Sequence, residues 1–241
     1  MGAGQAVIVG IAGRRGSGKS TMARYLAERC YRVVVWDPMA EHRWVPNRFS
    51  SLERLEQFMV WADGQSSFAG RYVPESAELT DDFEEICELV YDYGDVVFLV
   101  EEVPMVSSPS SLPGQFDRIV RLGRHQGVSV IYTAQRLAET ARRLTAATDY
   151  FIVFQHHEPR DLDAIADRCG REVADRVARL PRHGYLVWSA VEAAIIPLET
   201  VVQELRRLSR RDNPVRCDNA VTLANRQAYG TSARMMSRKE L

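Results

Sequence analysis

The segment Gly13-Arg14-Arg15-Gly16-Ser17-Gly18-Lys19-Ser20 fits the pattern G-x-x-x-x-G-K-S/T, and it constrains the fold more than any other feature. The apolar run Gln5–Ala12 (QAVIVGIA) before it reads as a buried strand. After it, Met22, Ala23, Leu26 and Ala27 recur at helical spacing within Ser20–Cys30. A glycine-rich turn between a strand and a helix lets successive backbone amides curl around phosphate oxygens without Cβ clashes. The helix N-terminus adds the positive end of its dipole. The pattern therefore predicts a nucleotide-binding loop over Gly13, Arg14, Arg15, Gly16, Ser17, Gly18, Lys19, Ser20 and Thr21. Lys19 would reach the β- and γ-phosphates, and Ser20 would ligate Mg²⁺.

The rest of the chain continues the alternation of strand and helix. Arg32–Trp36 (RVVVW), Asp95–Val100 (DVVFLV), Val128–Tyr132 (VSVIY) and Tyr150–Gln155 (YFIVFQ) are continuous apolar runs, the signature of parallel strands covered on both faces. Ser67–Val73 is weakly strand-like, and Tyr185–Ser189 and Ala194–Leu198 read as two closing strands. Helices are expected over Leu52–Ala62, Leu79–Tyr91, Gln115–His125, Ala138–Thr145, Asp161–Cys169 and Arg171–Leu180. The fold expected is α/β, a P-loop NTPase with a mostly parallel sheet and helices on both faces. With 241 residues, 46% hydrophobic and 26% charged, the chain has ordinary globular composition. The longest apolar runs fall far short of the ~20 residues a membrane-spanning helix needs. No secretory signal is visible. Trp36, Trp44, Trp61 and Trp188 lie in or beside apolar elements, so core packing is expected of them. Cys30, Cys87, Cys169 and Cys217 show no CxxC pairing, which argues for free thiols in a reducing compartment.

A phosphate loop needs acidic groups across the cleft. Glu101 and Glu102 follow the buried run Asp95–Val100 directly. Glu101 is placed to hold Mg²⁺ and Glu102 to polarise an attacking water, an arrangement suited to hydrolysis. Gln135, just past Val128–Tyr132, carries a side chain that can donate to a phosphate and accept from water at once. Arg118, Arg121 and Arg124 are spaced by three, which keeps them near one helix face. Arg121 and Arg124 suit an arginine finger acting in trans, contacts to nucleic-acid phosphates, or a solvated face. His156-His157-Glu158 lacks metal-ligand spacing and reads as a polar turn.

With these elements in this order, the chain resembles the FtsK–HerA superfamily of P-loop ATPases, in particular its viral genome-packaging, A32-like branch. The matching pieces are GRRGSGKS, VVFLVEE, RLGRHQGVSVIYTAQR, the strand RVVVWDP, and HHEPRDLDAIADRCG through RLPRHGYLVWS. The resemblance spans roughly residues 6–205. The family usually carries Asp-Glu where this chain has Glu101-Glu102, one methylene longer at the first acid. The resemblance implies a RecA-like ATPase that uses ATP and Mg²⁺ to drive double-stranded DNA into a preformed capsid. It also implies a homo-oligomeric ring, a hexamer, with capsid or portal vertex proteins and a viral membrane protein as partners. The location implied is the host cytoplasm during assembly or the virion vertex. Two rivals stay within P-loop chemistry: a filamentous-phage-type morphogenesis ATPase and a small-molecule kinase. A non-enzymatic, ATP-regulated vertex protein is a third.

Charge is uneven although the net charge is −1. Tyr72 to Asp117 holds twelve acidic residues and no basic one, whereas Arg206 to Leu241 holds nine basic and three acidic. The expected division is a P-loop ATPase domain over 1–205 and a basic tail or arm over 206–241, suited to a polyanion.

Overall fold

In the computed structural model, residues 6–75 and 79–210 are described. Their strands form one nine-stranded sheet in the order β3-β4-β2-β5-β6-β1-β7-β8-β9. The central strands are β1 (Ile8–Ala12), β6 (Val128–Ala134) and β5 (Val96–Val100). Beyond β5 lie β2 (Arg32–Trp36), β4 (Phe68–Tyr72) and β3 (Asn47–Phe49). On the other side come β7 (Tyr150–Phe154), β8 (Tyr185–Ser189) and β9 (Ala194–Ile195). The first seven strands in the order are parallel; at one edge β8 pairs antiparallel with β7, and β9 antiparallel with β8.

Parallel strands require crossovers, and the helices that supply them cover both faces. Side chains alternate strictly between two cores. Val34, Trp36, Phe98, Val100, Val130 and Tyr132 meet α2 (Leu52–Ala62), α3 (Leu79–Tyr93) and α4 (Gly114–Leu122). Val33, Val35, Val97, Leu99 and Ile131 meet α1 (Lys19–Ala27) and α8 (Leu198–Leu208) on the opposite face. A third cluster packs α6 (Pro159–Cys169) and α7 (Arg171–Ala178) against Phe151 and Val153 of β7. Each fully buried side chain of this kind contributes about 1.5–3 kcal/mol, so the two-sided core sets the sheet register.

The structure departs from the sequence reading at several places. Strand β3 is unforeseen, because Asn47 and Arg48 are exposed and give no apolar alternation. The helix expected over Ala138–Thr145 is broken. A 3₁₀ turn at Leu137–Glu139 precedes an extended Thr140, and α5 spans only Arg142–Ala146. Thr140 Oγ1 donates to Arg136 O at 3.2 Å, and Arg142 N–H donates to Pro109 O at 3.1 Å. These contacts compete with helix continuation. The helix expected to reach His125 ends at Leu122 and tightens into a 3₁₀ turn over Gly123–Gln126. The last expected strand stops at Ile195. Pro197 then caps α8, which runs to Leu208 and buries Val201, Val202 and Leu205. Trp61 is not core; it is 63% exposed, its ring against Phe58.

Residues 211–241, most of the expected basic tail, lie outside the described residues. Among the described residues, no helix is long and apolar enough to cross a membrane.

Candidate active site

The carboxyl ends of β1, β6 and β5 lie side by side, with β6 between the other two. Loops leaving that end of a parallel sheet converge on one crevice. Here the crevice is a cleft of about 1150 Å³ lined by residues 15–22 together with Glu41, Glu101, Glu102, Gln135, Phe154 and His183.

The glycine loop leaves β1 with Gly13 N–H donating to Ala134 O at 3.1 Å. A Cβ on Gly13 would stand 2.8 Å from Phe154 Cβ and 2.4 Å from Ser17 Oγ, so no larger residue fits beneath the loop. Gly16 and Gly18 have φ of 74° and 107°, in the left-handed region that favours glycine. Gly18 is the N-cap of α1, whose first-turn amides have no intrahelical acceptor and face the cleft mouth. Lys19 is 7% exposed and lines the cleft. Arg15, Gly16, Ser17, Gly18, Lys19, Ser20 and Thr21 all line it, whereas Gly13 and Arg14 sit outside the lining. The Ser17 hydroxyl is buried and has no hydrogen-bond partner among the described residues. His183, from the turn before β8, donates from Nδ1 to Ser17 O at 3.1 Å and closes that side.

Both glutamates line the cleft, in different environments. Glu101 is 3% exposed. Its Oε1 accepts from Ser20 Oγ at 2.8 Å, and its Oε2 lies 2.8 Å from His42 Nε2. Burial pushes its carboxyl up, but the hydrogen bond and electrostatic attraction of His42, with hydrogen bonds from Ser20 and Thr133, outweigh burial and hold it below the ordinary range. Glu102 has φ 53° and ψ 59°, a left-handed conformation that costs a non-glycine residue about 1–3 kcal/mol. Its amide donates to Thr133 Oγ1 at 2.8 Å, which ties the turn to β6. Burial pushes its carboxyl up, against the pull of Lys19 and of hydrogen bonds from Gln135. Gln135 thus touches Glu102. Arg136, next to it, is pinned to Asp161, Glu158 and Glu139.

The extra methylene of Glu101 brings its carboxylate into direct contact with Ser20. Ser20 Oγ also lies 3.1 Å from Glu41 Oε2. One hydroxyl proton cannot serve two carboxylates, so one carboxylate faces the serine oxygen with no hydrogen between them. A hard cation resolves that conflict, and an all-oxygen donor set suits Mg²⁺, which takes one or two protein ligands and the rest from phosphates and water. The residues fit Mg²⁺, and Ser20 and Glu101 would hold it.

Glu41, His42, Phe154, Thr133 and His183 were not foreseen from the sequence. Glu41 and His42 closely follow β2, whose pairing with β5 brings them beside Glu101, a long-range fact that no local pattern signals. Asp37 accepts from the amides of Glu41 at 2.8 Å and His42 at 3.0 Å and is itself held by Arg71 at 3.0 Å. Arg121 and Arg124 lie elsewhere. They precede β6 and so sit at the amino end of the sheet, remote from this chain's own cleft. Arg121 pairs with Asp117 at 3.0 Å. His156 is a satisfied core histidine, its Nδ1 2.8 Å from Phe154 O.

No protein-family model matches the sequence, and neither does any curated protein. Solved structures do match. The genome packaging NTPase B204 from Sulfolobus turreted icosahedral virus 2, in complex with ATP-gammaS, is 20% identical, with 81% of this chain and 97% of that chain covered and a TM-score of 0.65. B204, the DNA-packaging ATPase from Sulfolobus Turreted Icosahedral Virus, is 19% identical, with 80% and 97% covered and the same TM-score of 0.65. The resemblance read from the motifs therefore holds at the level of architecture: strand order, phosphate loop and paired acids together give this chain the P-loop NTPase fold that these viral packaging proteins share.

Proposed function

We propose that this chain is an ATP-hydrolysing motor that moves double-stranded DNA into a preformed viral capsid. The observation that carries the reading is the convergence of Lys19, Ser20, Glu101, Glu102 and Gln135 on one cleft, with the Gln135 strand between the other two. The fold shared with B204, a DNA-packaging ATPase, supports the cargo.

In this reading the loop amides and Lys19 grip the β- and γ-phosphates of ATP. Ser20 and Glu101 would hold Mg²⁺, which would supply neutralisation of phosphate charge. Glu102 accepts a proton from the attacking water, and its contact with Gln135 lets that amide orient the water toward the terminal phosphorus. Arg121 or Arg124 reaches the nucleotide of an adjacent subunit in a homo-oligomeric ring, because neither faces its own cleft. DNA is gripped through phosphates rather than read by base, and the basic residues 206–241 add to that grip. Capsid or portal proteins anchor the ring at the virion vertex.

Phosphate release measured with and without duplex DNA tests this. Release stimulated by duplex, and nucleotide binding weakened about 100-fold or more in Lys19→Ala, is the expected result. Absence of release under both conditions overturns the motor, and efficient transfer to a nucleoside monophosphate would make the protein a kinase.

A further inference from the structure

The geometry points to His42 as a positioning residue for the Mg²⁺ site: an imidazole whose Nε2–H fixes the rotamer of Glu101 so that its other oxygen faces Ser20. This inference rests on the nucleotide reading above and deepens it. His42 is 1% exposed, and its Nε2 lies 2.8 Å from Glu101 Oε2. Trp44 Nε1–H donates to His42 Nδ1 at 3.0 Å. An indole nitrogen only donates, so Nδ1 must accept, and the ring proton resides on Nε2. The tautomer is therefore set by Trp44, and Nε2–H is aimed at the carboxylate. With Oε2 occupied, Oε1 is left to Ser20 at 2.8 Å.

The backbone under the imidazole is equally fixed. Asp37, fully buried, accepts from the His42 amide at 3.0 Å and pairs with Arg71 at 3.0 Å. Arg71 Nε also donates to Val45 O at 3.0 Å, which closes the loop on its far side. A long, flexible Glu at the metal position has one more rotatable bond than Asp, and freezing it costs side-chain entropy. The Trp44–His42–Glu101 relay removes that freedom before metal arrives. Partners of this kind that orient a metal ligand typically matter by 10–100-fold in metal affinity.

The test is Mn²⁺ binding, read by electron paramagnetic resonance on the full chain with AMPPCP, beside nucleotide affinity in excess EDTA. His42→Ala should weaken Mn²⁺ about 10-fold and leave metal-free nucleotide affinity within about two-fold. His42→Gln, whose amide can place an N–H near the same point, should recover most of the loss. Trp44→Phe keeps the imidazole but frees Nδ1, and should weaken Mn²⁺ by a few-fold, about three; it carries the test if His42→Ala does not fold. Unchanged Mn²⁺ affinity in His42→Ala, or in Trp44→Phe where it stands alone, overturns the inference. So does equal loss in the Ala and Gln variants. Should the wild-type chain bind neither AMPPCP nor Mn²⁺, the nucleotide reading itself falls, and this inference with it.

Discussion

The two ends of the sheet bury polar groups in opposite ways. At the amino end, Arg32 on β2 is 1% exposed, yet each arm of its guanidinium is met. Nε donates to Asp95 O at 3.0 Å, Nη1 to Gln65 O at 3.3 Å and Nη2 to Tyr93 Oη at 2.6 Å, with Asp63 at 3.6 Å. At the carboxyl end the demands stay open. Ser20 faces two carboxylates, the Ser17 hydroxyl has no partner among the described residues, and Glu102 is held left-handed with its carboxyl pushed up by burial. The first network is complete and serves folding. The second is left incomplete by the described residues, which is how unsatisfied groups mark a candidate site.

The largest test of that contrast is Glu102→Gln. It should lower phosphate release about 10³-fold while nucleotide still binds. Because a half-buried carboxylate whose charged form burial disfavours is removed, melting temperature should hold or rise. Glu102→Gly should lose turnover as fully and gain about 1 kcal/mol of stability from relief of the left-handed backbone. A loss of stability in both variants would show that the turn is held for the fold and not for chemistry.

Arg32→Met probes the other end, and there the effects should invert. Its partners lose a buried donor, so unfolding free energy should fall by about 3 kcal/mol. Turnover per folded molecule should stay within about two-fold, since Arg32 lies at the far end of the strands from the phosphate loop. Denaturant melts and phosphate release at low temperature measure both. A fall in turnover exceeding the fall in folded fraction would mean the ends are coupled.

The contrast also explains what was legible in the sequence. Strands such as Arg32–Trp36 and helices such as Leu52–Ala62 are written in apolar periodicity, and both match residue for residue. The phosphate loop and Glu101-Glu102 are legible because local spacing and a strand end suffice to place them. His42 is not, since its meaning depends on β2 pairing with β5, a long-range fact. Strand β3 is hidden for the same reason: Asn47 and Arg48 pair along β4 without apolar alternation. Helix α8 was missed although Leu198, Val201, Val202 and Leu205 carry helical spacing, because the basic residues after Arg206 read as a tail.

The smallest effect tests whether the amino end is wholly quiet. Asp149 clamps the starts of β1 and β7: its Oδ2 accepts from Ile8 N–H at 2.8 Å and its own amide donates to Ile8 O at 2.9 Å. Burial pushes its carboxyl above the usual 3.8, against the Ile8 hydrogen bond and nearby Arg124. The folded chain then holds this proton more tightly than the unfolded chain does. By linkage, its contribution to stability is present at low pH and is lost as pH rises from the unfolded value through the higher folded one. Asp149→Asn cannot titrate, and its Oδ1 still accepts the Ile8 amide. The stability difference between variant and wild type should therefore shift in favour of Asn as pH climbs above 3.8. Urea titrations at a series of pH values read that slope. The opposite slope would mean that Arg124 and the Ile8 amide outweigh burial, and that this end, too, carries a charge poised for a partner.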